Sequence, residues 1–373
     1  MFQFISNLTS GAILFLIFLL LKNPQKANIE GNRWLAFFLF TIFLIFMDVN
    51  FLANHLPKYD YSIYFLSNFF YYGCAPSLYL SISNYVSLKR ENTKTDFLHF
   101  IPLFIINLFI YCFFIYQNEK VDSTNATVLL FSTVVTYIFW IQMFTYLILS
   151  FIKIQKYQQQ LKLFASTTST IDLQWLKKFL IGIGVLLFFW ILDTFIGNID
   201  PSWLVEISSL IGIFMIGYYS IMQERIFPLT EAERDEIIEI IEGEKGLEKK
   251  LKLSPEELET LKVILLSKMA TDKLYLDDSL SLPKLAKYLD TNVHKLSHLL
   301  NEEIGQNFFQ FVNSYRVEEA KRLLLNDNSK QLNMVGIAFE AGFNSKSTFN
   351  LAFKKALGIS PSEFLAVARL KKE

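Results

Sequence analysis

Long apolar stretches separated by short polar segments fill the first 222 residues of the chain. A membrane-spanning helix needs about 20 apolar residues, and seven stretches approach that length. The segments Tyr61 to Leu88 and Ser123 to Ile152 contain no Asp, Glu, Lys or Arg at all. The pattern predicts a seven-helix transmembrane bundle with the spans Phe4–Leu21, Trp34–Leu52, Ser62–Val86, Phe97–Tyr116, Thr127–Ile152, Phe179–Ile196 and Trp203–Met222.

Basic residues between the predicted spans indicate the orientation, because cytoplasmic loops retain Lys and Arg. The connections after spans one, three and five carry 11 basic residues, whereas the other three carry 2, Lys58 and Lys120. We therefore expect a multi-pass protein of the bacterial inner membrane with its N-terminus outside. Everything after Met222 is then cytoplasmic. The external loops, about 9, 10 and 6 residues long, are too short for a folded receptor domain, so sensing is expected within the bundle or at its mouth.

Three carboxylates lie in the outer third of predicted spans two, six and seven, namely Asp48, Asp193 and Glu206. Placing a carboxylate inside the membrane costs several kcal/mol unless the group is paired with a cation, hydrated or part of a functional site. One interpretation is that all three are solvated at headgroup level. The alternative is that they form a pocket for a cationic or hydrogen-bonding ligand.

Composition supports this division of the chain. Hydrophobic residues make up 52% of it and charged residues 19%, which excludes a disordered protein. Residues 1–222 hold 13 Lys/Arg and 11 Asp/Glu, and the remaining 22 and 24 lie in 223–373. The only two cysteines, Cys74 and Cys112, fall in apolar stretches and offer neither a disulfide framework nor metal-ligand spacing. We expect no metal and no cofactor.

The segment 223–272 is predicted to be a linker of two amphipathic helices. Capping-box patterns at Thr230/Glu233 and Ser254/Glu257 mark their starts. Apolar positions recur at helical spacing in both helices: Ile237, Ile238 and Ile241 in the first, and Leu258, Leu261, Leu265 and Met269 in the second. These stripes either pack on the following domain or form a dimerising signalling helix.

From residue 273 onward one pattern occurs twice. Leu282, Leu285, Ala286 and Leu289 form an apolar helix face, and Met334, Ile337, Ala338 and Ala341 repeat it 52 residues later. Each face is followed by a turn and a second helix, with buried positions at Leu296 and Leu300 or at Phe349 and Phe353. The second helices are offset by 53 residues. This arrangement is typical of a helix-turn-helix, and the sequence predicts two of them.

A helix is predicted over Phe308–Leu325, between the two motifs. Its 18 residues span about 27 Å at 1.5 Å per residue. With flanking packing, the second helices of the two motifs would lie roughly 34 Å apart, one turn of DNA. One chain could thus enter two successive major grooves.

Residues 274–370 resemble the DNA-binding domain of AraC-type transcriptional regulators. The resemblance lies in IAFEAGFNSKSTFNLAFKKALGISPSEF, from Ile337 to Phe364, and in NSYRVEEAKRLL, from Asn313 to Leu324. The preceding part, with HFIPL at His99–Leu103, is similar to membrane-anchored AraC-type proteins of Bacteroidetes. The resemblance implies binding to promoter DNA and control of transcription, with no enzymatic activity.

The resemblance and helix geometry together predict the DNA-contacting residues. In the first recognition helix they are His294, Lys295, Ser297, His298 and Asn301, and in the second Lys346, Ser347 and Asn350, followed by Lys354 and Lys355. Asn reads adenine and Lys reaches guanine, whereas the last two lysines are better placed for phosphates. A solvated helix face would give the same pattern. The segment 273–373 has 14 Lys/Arg and 11 Asp/Glu, a net charge of +3, so phosphate attraction by one domain is weak.

The predicted fold class is therefore all-α, with a transmembrane sensor domain (1–222), a linker (223–272) and a DNA-binding domain (273–373). Expected partners are double-stranded promoter DNA, the lipid bilayer, a second copy of the chain, RNA polymerase and an unidentified small-molecule or membrane-derived signal. The alternative is a transporter or channel with an attached regulatory domain, which predicts inverted repeats and broken helices. No catalytic constellation supports a membrane enzyme.

Overall fold

Apolar sequence without breakers forms long helices throughout the N-terminal part of the chain. A computed structural model describes residues 2–22, 28–47, 61–87, 94–116, 126–167, 172–196, 202–222, 231–243, 254–326 and 332–370. The N-terminal helices are α1 (Phe2–Lys22), α2 (Ile29–Met47), α3 (Tyr61–Val86), α4 (Ile101–Tyr116), α5 (Ala126–Phe164), α6 (Gln174–Ile196) and α7 (Ser202–Met222). A 3₁₀ segment, Lys94–Phe100, leads into α4.

Each predicted span overlaps one of these helices, although the end of the second span, 48–52, lies outside the described residues. Four helical stretches in the described part of the chain are long and apolar enough to cross a membrane: Phe4–Lys22, Ile29–Met47, Lys94–Phe113 and Ala126–Phe164. A shorter apolar helix covers Ile207–Ser220. The all-helical class is confirmed for the described residues, among which no strand occurs. The count of seven spans stays a prediction.

Helix α5 is 39 residues long and extends well past its predicted end at Ile152. The extension contains no Gly or Pro that would stop a helix. Its apolar residues Ile154, Tyr157 and Leu161 are almost completely buried, at 0%, 2% and 0% exposed, and they recur at helical spacing. An amphipathic helix therefore continues from the apolar one.

The remaining helices are shorter, as their sequence patterns predict. They are α8 (Glu231–Gly243), α9 (Pro255–Thr271), α10 (Leu282–Tyr288), α11 (Val293–His298), α12 (Phe308–Leu325), α13 (Met334–Glu340), α14 (Lys346–Leu357) and α15 (Pro361–Leu370). A π turn, Leu299–Glu303, follows α11 directly and was not predicted. The capping box at Ser254 and Glu257 is confirmed at the start of α9.

The chain divides into two compact units. The first contains residues 1–155 and 173–226, and the second contains 156–172 and 227–373. The segment 156–172 was predicted to lie within the sensor domain, yet it groups with the C-terminal unit. The boundaries 1–222, 223–272 and 273–373 remain a prediction of functional domains.

In the first unit, α2 and α3 approach closely at Gly31. A Cβ on this glycine would lie 2.9 Å from the ring of Tyr85. The hydroxyl of Ser81 donates to the carbonyl of Gly31 at 2.9 Å, and the hydroxyl of Tyr85 donates to the side-chain oxygen of Asn32. A side chain larger than hydrogen would separate the two helices. Elsewhere in this unit many large apolar side chains are exposed, including Phe15 at 64%.

Of the three carboxylates proposed for the outer mouth, Asp48 lies outside the described residues. Asp193 lies on α6 and Glu206 on α7, but both side chains also lie outside the described set. Both interpretations of the carboxylates therefore stay open.

Candidate nucleic-acid interface

The second unit contains two helix-turn-helix motifs that match at the level of backbone hydrogen bonds. In the turn after α10, the amide of Thr291 donates to the carbonyl of Ala286 at 3.0 Å. In the turn after α13, the amide of Phe343 donates to the carbonyl of Ala338 at 2.9 Å. Donors and acceptors are both offset by 52 residues. The predicted repeat in sequence is thus a repeat in structure.

The second helix of each motif begins at a side-chain cap. Asn292 accepts the amide of Lys295 at 2.7 Å before α11, and Ser345 accepts the amide of Thr348 at 3.2 Å before α14. The two caps are 53 residues apart, as predicted. Each cap satisfies an amide that the helix itself leaves without a partner.

Gly342, in the turn of the second motif, lets this turn pack closely against the segment that precedes the first motif. Its φ of +87° is a left-handed conformation that favours glycine. A Cβ here would lie 2.4 Å from the carbonyl oxygen of Tyr275 and 2.9 Å from the Cα of Leu276, both on the segment that leads into the first motif. A side chain at this position would push the second motif away from that segment.

Helix α12 connects the motifs. It has the predicted bounds, Phe308–Leu325, and starts with a capping box in which Asn307 accepts the amide of Gln310 at 2.9 Å. Val317, Ala320 and Leu324 on this helix belong to one apolar core with the second motif. The predicted buried positions Leu285, Leu296, Phe349 and Phe353 are all 0% exposed.

Arg316, in the middle of α12, is a fully buried guanidinium at 0% exposed. Its five hydrogen bonds go to Tyr275 O (2.7 Å), Asp277 O (2.8 Å), Ser166 O (3.1 Å), Ser166 Oγ (3.1 Å) and Thr167 Oγ1 (3.3 Å). Burial lowers the pKa of Arg316 to about 10, which leaves it protonated at neutral pH. Because the same guanidinium lies 5.9 Å from the centre of the Phe343 ring, it joins the segment before the first motif to the turn of the second.

The residues predicted on the second recognition helix form an exposed polar face. Lys346, Ser347 and Asn350 are all exposed, as are Lys354 and Lys355 further along α14. Leu351, at 70% exposed, adds an apolar contact on the same face. Side chains of these types can donate hydrogen bonds to base edges and phosphates.

The residues predicted on the first recognition helix are less accessible. Ser297 is 8% exposed and accepts a hydrogen bond from the side-chain amide of Asn301 at 3.3 Å. His294, Lys295, His298 and Asn301 are half-buried. Helix α8 packs against this helix. Four of these residues thus lie on α11 and Asn301 lies on the segment that follows it, but none of them is on a freely exposed face.

Sequence reasoning missed the role of Ser166 and Arg316. Arg316 lies inside the NSYRVEEAKRLL segment, where a lone arginine between apolar positions was the available signal. Ser166 is 150 residues away in sequence and lies beyond the predicted end of a span. A three-dimensional contact of that kind leaves no periodicity to detect.

The predicted contact side chains of the two motifs are hydrogen-bonding groups. Among the residues described, no group of three or more His, Cys, Asp or Glu side chains is placed to hold a metal ion. The two motifs carry amide, hydroxyl, imidazole and ammonium groups on short helices. Such groups on a helix of this size fit the major groove of B-DNA.

A family model described as a helix-turn-helix domain matches residues 285–366, which include both motifs. The Arabinose operon regulatory proteins of Escherichia coli (strain K12) and Salmonella typhimurium (strain LT2) are each 28% identical to the chain over 90 residues. The C-terminal part of the chain thus matches a helix-turn-helix domain, and the chain is similar over a limited stretch to these two regulatory proteins.

The matched 90 residues are 24% of this chain and 30% and 31% of those two proteins. The chain thus spans about a third of the length of the curated relatives it matches. No solved structure matches the chain.

Proposed function

We propose that this protein is a membrane-anchored, sequence-specific DNA-binding regulator of transcription. The observation that carries the proposal is the pair of equivalent helix-turn-helix motifs joined by α12. Two motifs held in one compact unit can enter two successive major grooves on one side of the duplex. Similarity to two arabinose operon regulatory proteins over 90 residues supports the assignment.

In this proposal the second recognition helix reads sequence. Asn350 pairs with an adenine edge and Lys346 with a guanine edge, while Ser347 contacts either base type. Lys354 and Lys355 neutralise phosphates and set the register of the helix. In the first motif, bases and phosphates are contacted by His294, Lys295, Ser297, His298 and Asn301.

The N-terminal unit anchors the regulator in the bacterial inner membrane as seven spans. Four long apolar helices and their exposed apolar side chains support insertion in a bilayer. The 11 to 2 distribution of basic residues supports an external N-terminus and a cytoplasmic DNA-binding domain.

The bundle also senses a signal in this proposal, with Asp48, Asp193 and Glu206 as candidate ligand-binding groups at its outer mouth. A ligand shifts a receptor between states only by its differential affinity for them, and a carboxylate contact made in one state can supply that difference. Helix α5 links the bundle to the DNA-binding unit, because its residues contribute to both units and end beside Ser166.

Mapping of the DNA sites bound by the full-length protein across the genome, with fractionation of the same cells, tests the proposal. We expect a shared sequence motif at promoters and recovery of the protein in the membrane fraction. The double variant Lys346→Ala/Asn350→Ala is the matched control and should lose the promoter sites while staying in the membrane. Binding without any shared motif would contradict sequence-specific regulation.

A further inference from the structure

Helix α8 packs directly against α11, the first recognition helix. Three isoleucines of α8 are buried, since Ile237, Ile238 and Ile240 are 1%, 7% and 7% exposed. Burial of three large apolar side chains stabilises the packing of this helix. The contact is therefore a built interface of the C-terminal unit.

The second motif provides an internal control for what α8 covers. The caps Asn292 and Ser345 are equivalent, so residues of the two recognition helices correspond at an offset of 53. Ser297, at 8% exposed, then corresponds to Asn350, which is exposed. The motifs share one backbone pattern, so the difference reflects the groups that lie around each helix: the side chain of Asn301 contacts Ser297, and α8 packs against α11.

Two further pairs show the same difference. His298 is half-buried, whereas its counterpart Leu351 is 70% exposed. His294 is half-buried, and its counterpart Ser347 is exposed. The first recognition helix is thus partly covered along the face that its repeat leaves open.

Groove dimensions make this cover incompatible with DNA reading. The major groove is about 12 Å wide and admits one α-helix, and a helix with its side chains is itself about 10–12 Å across. Two helices packed side by side on the reading face do not fit. The second recognition helix, which is exposed, could still enter.

The charge of α8 opposes DNA as well. The helix holds six acidic residues and one arginine, a net charge of −5. A second acidic group lies close to α11, since Glu257 of α9 is 4.0 Å from the ammonium of Lys295. Carboxylates beside a recognition helix repel the phosphate backbone, the main source of DNA affinity.

We propose that α8 is an autoinhibitory element that covers the first recognition helix and must leave it before both motifs can bind DNA. The inference rests on the proposed function and adds its regulation. Release of α8 converts one accessible motif into two. In the sequence, eight residues, 223–230, lie between the end of α7 and the start of α8.

The expected gain follows from the population of the released state. If 1–10% of molecules are released at rest, apparent affinity is lowered about 10- to 100-fold, and full release restores it. Binding by two motifs also neutralises more phosphates, which makes affinity fall more steeply with salt.

Ile237→Asp in the full-length protein, reconstituted in lipid nanodiscs, tests the proposal. The probe is a 40-base-pair duplex enriched from a random pool by that variant. We expect the variant to bind this duplex at least about tenfold more tightly than wild type. Asp235→Asn, an exposed position on the same helix, is the matched control and should bind within about twofold of wild type. Equal affinity of wild type and Ile237→Asp would overturn the autoinhibition.

Hydrogen exchange in the unsubstituted protein provides a test that needs no folded variant. Saturation with the enriched duplex should speed amide exchange in residues 231–243, because α8 leaves α11 when DNA enters. Unchanged or slower exchange at saturation would overturn autoinhibition and leave the proposed function standing. If no sequence is enriched by either protein, the proposed function fails, and autoinhibition fails with it.

Discussion

The guanidinium of Arg316 donates hydrogen bonds to both the carbonyl and the hydroxyl of Ser166, a residue 150 positions earlier in the chain. Ser166 in turn donates from its hydroxyl to the carbonyl of Leu280 at 2.5 Å. An isolated β-bridge between Ala165 and Ser281 holds the two backbone segments together. The segment that directly follows α5 thereby supplies part of the hydrogen-bonding shell of Arg316 inside the second unit.

Loss of the Ser166 hydroxyl should loosen this unit. Ser166→Ala leaves a buried guanidinium N–H and the carbonyl of Leu280 without that partner, at a cost of about 1–3 kcal/mol in the free energy of unfolding. Hydrogen exchange of the segment Tyr275–Asp277 measures the effect, because Arg316 binds the carbonyls at both ends. Ser267→Ala, an exposed serine on α9, should leave that exchange rate unchanged. Equal amide exchange rates of Tyr275–Asp277 in Ser166→Ala and Ser267→Ala would show that the Ser166 hydroxyl does not stabilise this segment.

Sequence readout and phosphate binding should separate on the second recognition helix. Asn350→Ala should cost about 1–3 kcal/mol of binding free energy and relax preference at one base pair, since a bidentate contact to adenine is lost. Lys354→Ala should weaken all sequences alike and reduce the salt slope by about 1. Titration of a specific and a scrambled duplex at several salt concentrations measures both effects. A uniform loss in both variants would remove Asn350 from base readout.

The elements that follow from local sequence were predicted well. The bounds of α12 and the buried faces of both motifs depend on helical periodicity and caps, which a single sequence displays. The π turn after His298 and the long extension of α5 depend on packing around them. The role of Ser166 depends on a hydrogen bond from Arg316, which lies 150 residues later in the chain. The low exposure of Ser297 depends on groups outside its own helix. Exposure of a predicted contact residue therefore could not be read from its own motif.

The carboxylate of Glu319 should make stability depend on pH. Its side chain is 8% exposed, and hydrogen bonds from Arg322 at 2.6 and 3.0 Å hold its pKa below the ordinary value. Because the pKa of Glu319 is lower in the folded protein than in the unfolded chain, its ionised carboxylate stabilises the fold. This contribution to the free energy of unfolding is complete above the ordinary carboxyl pKa, and it is lost as the pH falls through the lowered pKa of the folded protein.

Glu319→Gln should therefore lower the free energy of unfolding by about 1–3 kcal/mol at pH 7. The difference from the unsubstituted protein should shrink below about pH 4. Chemical denaturation at a series of pH values measures this trend. Glu318→Gln, at a side chain 67% exposed, is the control and should cost at most about 1 kcal/mol. A difference for Glu319→Gln that stays constant down to pH 2 would contradict the assignment.

The proposed topology predicts which side of the membrane each loop faces. Alkaline phosphatase, which is active only outside the cytoplasm, should be active when fused at Lys58 or Lys120. It should be inactive when fused after Lys94 or Met222, since both points are on the predicted cytoplasmic side. The connections assigned to that side hold 11 of the 13 basic residues. Activity after Met222 would place the DNA-binding domain outside the cytoplasm.

The central claim is that one chain places two recognition helices in successive major grooves. Hydroxyl-radical footprinting of the full-length protein on an enriched duplex, with the Ile237→Asp variant alongside, measures this directly. We predict two protected regions on one face of the duplex, with centres about 10.5 base pairs apart. Added to the Ile237→Asp variant, in which the first motif is released, Lys346→Ala/Asn350→Ala should erase one of the two regions. A single protected region in every released protein, or protection without any sequence preference, would contradict the account.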